Sequence, residues 1–288
     1  MSDANLLALW LSPWTLGVLG LCIGSFLNVV IHRLPQMMER SWKQEGAEML
    51  GVALPADLAS APPLSLMRPR SRCPSCGHAI RWHENIPVLS WMLLRGRCSA
   101  CRAPIGLRYP LVELLTGLLF VAVAWRFGPQ PVALAWCAFV AVLVALSGID
   151  WDTTLLPDSL TLGLLWGGLV AAALGWTLPL STALWGAVFG YLSLWSVYWL
   201  FKLTTGKEGM GAGDFKLLAA LGAWLGWQML LPIVLAASLI GALVGIALKL
   251  SGGLHEGRYV PFGPFLAGAG LVVLFAGAAR VTDWLGWA

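Results

Sequence analysis

The chain has 288 residues, of which 58% are hydrophobic and only 11% charged, with a formal net charge of +4 and a mean hydropathy of +0.77. Soluble domains carry about 25% charged residues, so a soluble globular domain is excluded and an integral membrane protein is expected. Eleven of the eighteen Lys and Arg residues fall between Arg33 and Arg108; a basic stretch flanked by apolar runs reads as a cytoplasmic loop, and no nucleic-acid partner is expected.

The first apolar run, Leu6 to Val30, has no basic residues before it and positive residues after it. That order predicts an uncleaved anchor with its N-terminus outside. Towards its end Ser25, Asn28 and His32 fall at three- and four-residue spacing, which places them on one helix face. Such a face serves either helix–helix hydrogen bonding or the lining of a cleft. Gln36 to Met67 reads as an irregular connector, with a short helix near Met37 to Met49.

Cys73-Pro74-Ser75-Cys76 and Cys98-Ser99-Ala100-Cys101 follow. Each pair can wrap one side of a metal ion, and two such knuckles complete a tetrahedral sulfur site. Thiols on the cytoplasmic side stay reduced, which favours metal over disulfides. Cys73, Cys76, Cys98 and Cys101 are therefore predicted ligands of a structural zinc whose closed sphere leaves no catalytic position and whose binding folds a segment too small to bury a core. His78 and His83 read as ordinary loop residues. The amphipathic stretch from His83 to Trp91 is suited to lie against the membrane surface.

From Leu111 onward nearly everything is span. A span needs about 20 apolar residues, which predicts membrane helices near 111–126, 131–149, 159–177, 181–201, 217–230, 232–250 and 264–284, eight with the first. The split between the sixth and seventh is placed at Pro232. Gly186 with Gly190, and Gly241 with Gly245, have the spacing that lets helices approach closely. Tryptophans towards span ends fit interfacial anchors. With the N-terminus outside, segments 31–110, 150–158, 202–216 and 251–263 face the cytoplasm and hold sixteen of the eighteen basic residues, Arg258 among them and Lys249 at a span end. This is the positive-inside orientation.

Two carboxylate-bearing stretches then fall on one membrane edge. Gly209 to Leu217 is glycine-rich and carries Asp214, with no side-chain bulk in front of the acid. Asp150, Asp152 and Asp158 compete to partner it. Asp150 follows directly on a span and is expected to be the deepest; Asp158 reads as a helix cap. A carboxylate at a bilayer edge is a functional candidate by default, and two that share a proton can activate water and protonate a leaving group. Lys216 reads either as a snorkelling residue or as one that tunes Asp214.

The chain resembles the bacterial type IV prepilin peptidases, bifunctional leader peptidases and N-methyltransferases of pilus and type II secretion systems. The resemblance rests on Gly24-Ser25-Phe26-Leu27-Asn28, His32-Arg33-Leu34-Pro35, both cysteine pairs, Glu84-Asn85-Ile86-Pro87, Arg108 to Glu113, Asp150 to Asp158, Gly209 to Leu217 and Pro261-Phe262-Gly263-Pro264-Phe265. It implies an all-α polytopic membrane protein with about eight transmembrane helices and a small zinc-stabilised cytoplasmic domain. The expected division is a first span (1–32), a cytoplasmic zinc-binding domain (33–110) and a seven-span catalytic membrane domain (111–288). The family implies Asp150 and Asp214 as the catalytic pair, in a Gly-x-Gly-Asp motif also similar to that of presenilin-type proteases. It implies prepilin and pseudopilin substrates with a short basic leader, cut after a glycine just before an apolar helix that stays in the membrane lipid. It further implies methylation of the new N-terminus from S-adenosylmethionine, with Glu84 and Gly96 as cofactor-binding residues, in the bacterial inner membrane with both termini periplasmic. A peptidase without methyltransferase activity, and a transporter using the carboxylates for protons or ions, are the rival readings.

Overall fold

A computed structural model describes residues 3–55, 58, 63–252 and 260–286. Arg258 and the middle of the 251–263 segment lie outside the described residues, as does part of the connector at 56–57 and 59–62. The described chain is helical and has no strands. Its helices are α1 (Asp3–Trp10), α2 (Pro13–Leu50), α3 (Leu89–Leu93), α4 (Arg108–Phe127), α5 (Val132–Thr153), α6 (Asp158–Ala173), α7 (Leu180–Thr205), α8 (Ala212–Leu225), α9 (Leu230–Leu250), α10 (Gly263–Ala276) and α11 (Ala278–Trp284). Short 3-10 turns cover Trp82–Asn85 and Trp227–Met229. The chain forms two compact units, Met1–Trp125 and Arg126–Ala288.

A helix lies under each of the eight predicted spans. Among the described residues α2, α4, α5, α7 and the 24-residue Trp227–Leu250 stretch are long and apolar enough to cross a membrane. The pair α10–α11 would be a sixth, but it bends by 102° at Gly277, whose φ is +87°, so the predicted 264–284 span is broken. α6 and α8 are apolar but short, at 16 and 14 residues. The break between the sixth and seventh spans is at Gly226 (φ +91°). Pro232, the predicted divider, sits buried in the first turn of α9, where its missing N–H has no helical partner to lose.

In the first unit, α2 starts on Ser12, whose hydroxyl accepts from Thr15 N–H at 3.2 Å, with Pro13 at the first helical position. It ends at Gly51, φ +63°. The helix expected near Met37 to Met49 is present, but it continues the first span without a break: α2 runs through Pro35 for 38 residues, so the connector is irregular only beyond it. Residues 36–50 are mostly strong helix formers, helped by i,i+4 pairs: Lys43 to Glu39 at 2.6 Å and Ser41 to Glu45 at 2.7 Å. A single interior proline removes one hydrogen bond, and these neighbours outweigh it. α2 lies against α4 through small residues: a Cβ on Gly20 would come 2.9 Å from the Gly117 Cα, and one on Gly24 2.7 Å from the Glu113 Cα.

In the second unit α8 is the centre. Asp214, Phe215 and every residue from Leu217 to Trp224 are buried, packed by α7, α6 and α10. Gly186 and Gly190 on α7 make the closest approach. A Cβ on Gly186 would strike the Gly222 carbonyl, and one on Gly190 would come 2.6 Å from the Leu218 oxygen. The second glycine pair is looser, facing the side chains of Phe265 and Val260 at 3.2 and 3.8 Å. Trp224 donates its indole N–H to the Leu164 carbonyl at 2.8 Å and closes α6 onto α8.

Candidate active site and metal centre

Asp150 sits in the last turn of α5 and Asp214 in the first turn of α8, 4% and 8% exposed. α5 stops here because Thr154 turns left-handed (φ +54°) and returns its N–H to the Asp150 carbonyl at 2.8 Å. The Asp150 Oδ2 accepts the N–H of Gly263, the first residue of α10, at 2.9 Å. The opening N–H groups of a helix have no partner within it and favour negative charge. Asp150 therefore rests on the positive end of α10, while Asp214 belongs to the positive end of α8.

Leu156 joins the two carboxylate neighbourhoods. Its side chain lies where a Cβ on Gly213 would come within 2.7 Å, and where one on Gly263 would come within 3.2 Å. Leu156 thus lies against both Gly263, which holds Asp150, and Gly213, which precedes Asp214. Asp152 and Asp158, the other two candidates, are exposed. Asp158 opens α6 but makes no cap hydrogen bond; Pro157 occupies the cap position. Instead its Oδ1 meets the Nζ of Lys216 at 2.6 Å. Asp158 is thus an acid in the first turn of α6, where negative charge suits the helix, and it also pairs with Lys216.

In the first unit the four loop cysteines come together, with all their sulfur atoms within 4.8 Å of one another. Two matching turns build the cluster. Cys73 N–H bonds to the His78 carbonyl and Gly77 N–H to that of Cys73; Cys98 N–H bonds to Ala103 and Arg102 N–H to Cys98, all at 2.9–3.0 Å. Gly77 and Arg102 are both left-handed, at φ +72° and +62°. Tetrahedral zinc with Zn–S of about 2.3 Å has sulfur–sulfur edges of about 3.8 Å, and Cys73 Sγ and Cys101 Sγ are 3.8 Å apart. Backbone N–H groups of Cys76 and Ser75 aimed at Cys73 bring its thiol down to about 6, favouring the thiolate that zinc requires. The donor set fits structural zinc.

Glu84 and Gly96 both serve the fold of this loop. Glu84 accepts the Arg81 N–H at 2.8 Å and faces His78 Nε2 at 3.2 Å. The Arg81 N–H, then the Ser99 hydroxyl and His78, hold its carboxyl at about 2, well below the usual carboxylate range. His78 is thus a partner of Glu84, while His83 offers its carbonyl to the Ser90 hydroxyl at 2.7 Å. Gly96 (φ +65°) lies under the Trp91 ring, where a Cβ would come 2.7 Å from Cζ2. Its N–H and C=O bond to Trp91 and Ile105.

Two further polar residues gained a role only in three dimensions. Glu113, 8% exposed, accepts the Val88 N–H at 2.7 Å and so holds Val88 at φ +59°, a costly conformation for a β-branched residue. Asn28 donates to the carbonyls of Gly24 and Tyr109 at 3.3 and 3.1 Å, which is the helix–helix alternative for its face. His32 is exposed, beside Gln36 of its own helix. The motif residues were visible in the sequence; their partners, tens of positions away, were not.

Together these features define a polytopic helical membrane protein with two buried carboxylates at clustered helix ends and a separate four-cysteine centre. The chain belongs to the type IV leader peptidase family: the family's own profile matches residues 137–246, and the profile described as the bacterial peptidase A24 N-terminal domain matches residues 18–127. It is 56% identical over 276 residues to the prepilin leader peptidase/N-methyltransferase of Aeromonas hydrophila, covering 96% of this chain and 94% of the relative. The proteins of the same name from Stutzerimonas stutzeri and Pseudomonas aeruginosa are 55% and 54% identical over 271 residues, covering 94% of this chain and 93% and 92% of the relatives. No solved structure matches.

Proposed function

We propose that this protein removes the leader from type IV prepilins and type II secretion pseudopilins and then methylates the new N-terminus, with Asp150 and Asp214 as the hydrolytic pair. The observation that carries the peptidase reading is that Asp150 and Asp214 are both buried at helix ends whose glycines, Gly263 and Gly213, lie against the same Leu156. One carboxylate takes a proton from water held between the pair. The other gives a proton to the departing amine. Gly263 N–H fixes the Asp150 oxygen, and the glycines before Asp214 leave room for an extended peptide. The apolar helix of the substrate stays in the lipid, and the scissile bond reaches the pair at the cytoplasmic edge, with both termini of the enzyme periplasmic. The basic residues favour this orientation.

The names of the relatives support the methyl transfer. S-adenosylmethionine would supply the methyl group. Glu84 and Gly96, in the loop between the cysteine pairs, are the residues this reading assigns to holding the donor. The division of labour follows the chain: 1–32 anchors, 33–110 forms the zinc-stabilised domain and 111–288 carries the aspartates. Purified Asp150→Asn and Asp214→Asn variants, incubated with a prepilin, are expected to stay folded and leave the leader uncut. Cleavage by either variant at a rate near that of the unaltered enzyme refutes the pair.

A further inference from the structure

We propose that the ion pair between Asp158 and Lys216 is a positioning tie that sets the gap between Asp150 and Asp214. The proposal rests on the two-aspartate reading above. Asp158 opens α6 and Lys216 lies in the second position after Asp214 on α8. Their charged atoms are 2.6 Å apart, across 58 positions of sequence. The segment between Asp150 and Asp158 is the turn that links α5 to α6, and it presents Leu156 to Gly213 and Gly263. One end of that turn is therefore anchored through Asp150 to α10, and the other through Asp158 to α8. The Leu156 contact and the Asp158–Lys216 pair both fasten the turn to the helix end that bears Asp214.

A solvent-accessible ion pair adds little to overall stability, and the Asp158 side chain is 59% exposed. Its consequence lies in register. A displacement of about 1 Å between reacting groups can lower a rate about 100-fold. The pair thus acts on the chemical step through the two acids, without touching the substrate. Lys216 also places a positive charge against Asp158, so the exposed carboxylate does not add a third negative charge to the site.

The test is a double-mutant cycle on the full-length enzyme in detergent, with a prepilin as substrate. Asp158→Asn and Lys216→Met are each expected to lower kcat for leader cleavage about three- to fivefold, with KM changed less than about twofold and the thermal midpoint unmoved. The combined variant is expected to be no slower than the worse single one, because the second substitution breaks a tie already broken. Lys216→Arg keeps the pair and is expected to keep the rate. Methylation of an already processed pilin reports on the same preparations and should not change. Single variants at the rate of the unaltered enzyme, effects that multiply in the double variant, or a Lys216→Arg as slow as Lys216→Met would each overturn the tie. Asp150→Asn is run alongside. If it still cleaves, the two-aspartate reading itself has failed; if it is inert while Asp158→Asn and Lys216→Met are fast, only the tie has.

Discussion

Replacing Gly263 with alanine tests the Asp150 support with a single methyl group. The added Cβ would stand 2.6 Å from Asp150 Oδ2 and 3.2 Å from Leu156 Cδ2. Ordinary carbon–oxygen contacts start near 3.3 Å, so the carboxylate must withdraw by roughly 0.7 Å or rotate away. Gly263 does not have a left-handed φ, so alanine meets no backbone penalty there and the collision is the whole perturbation. Withdrawal strains or breaks the 2.9 Å bond from the Gly263 N–H. A hydrogen bond to a charged group contributes about 1.5–3 kcal/mol, and about 2.7 kcal/mol corresponds to 100-fold in rate. Leader cleavage should therefore fall about 10- to 150-fold in kcat, measured on prepilin by gel or mass spectrometry. Methylation of precut pilin should stay within about twofold. A cleavage rate within threefold of the unaltered enzyme would refute the claim that this N–H positions a catalytic oxygen.

Two other substitutions probe the scaffold. Gly222→Ala places a methyl against the Gly186 carbonyl where α7 and α8 cross. Overpacking of this kind costs about 1–3 kcal/mol, so the thermal midpoint in detergent should fall clearly, whereas Gly163→Ala on α6, with open space around it, should leave it unchanged. Cys98→Ser removes the buried member of the sulfur cluster. Elemental analysis should find about one zinc per chain in the unaltered protein and a loss of it in the variant, with faster proteolysis between Ser65 and Arg108 and an unchanged helical signal from the membrane part.

The membrane character and the helix under each span were legible because hydropathy over about 20 residues is a local property. The cysteine knuckles were legible for the same reason, since Arg72-Cys73 and Arg97-Cys98 begin the same short turn twice. What escaped a local reading was anything decided between distant positions. Pro35 looked like a stop, yet residues 36–50 carry the helix past it. Asp158 looked like a cap because it opens a helix, and only the fold brings Lys216 beside it. Gly263 was part of a recognisable motif, but no pattern in the chain says that its N–H belongs to Asp150. Glu113 and Val88 are 25 positions apart, and the left-handed valine that they stabilise breaks the local rule by which turns are read from glycine and asparagine.

The brevity of α8 has a mechanistic consequence. Its 14 residues span about 21 Å at 1.5 Å per residue, short of the roughly 30 Å hydrocarbon core. A helix of that length cannot bring both ends to the two headgroup layers. Surrounded by lipid, its open N-terminus would leave unpaired amide groups in an apolar medium. Here α7, α6 and α10 surround it, and the glycine crossing with α7 draws the backbones together. The carboxylate at its first turn can then sit inside the apolar thickness while protein, not lipid, covers it. The segment before it, 206–209, is exposed, and Lys202 holds it through Glu208 at 2.8 Å. A peptide bond next to a membrane-embedded helix lies at such a depth, so on the proposed two-aspartate reading a short helix buried from Leu217 to Trp224 would bring the acid to the bond without pulling the substrate's helix from the bilayer.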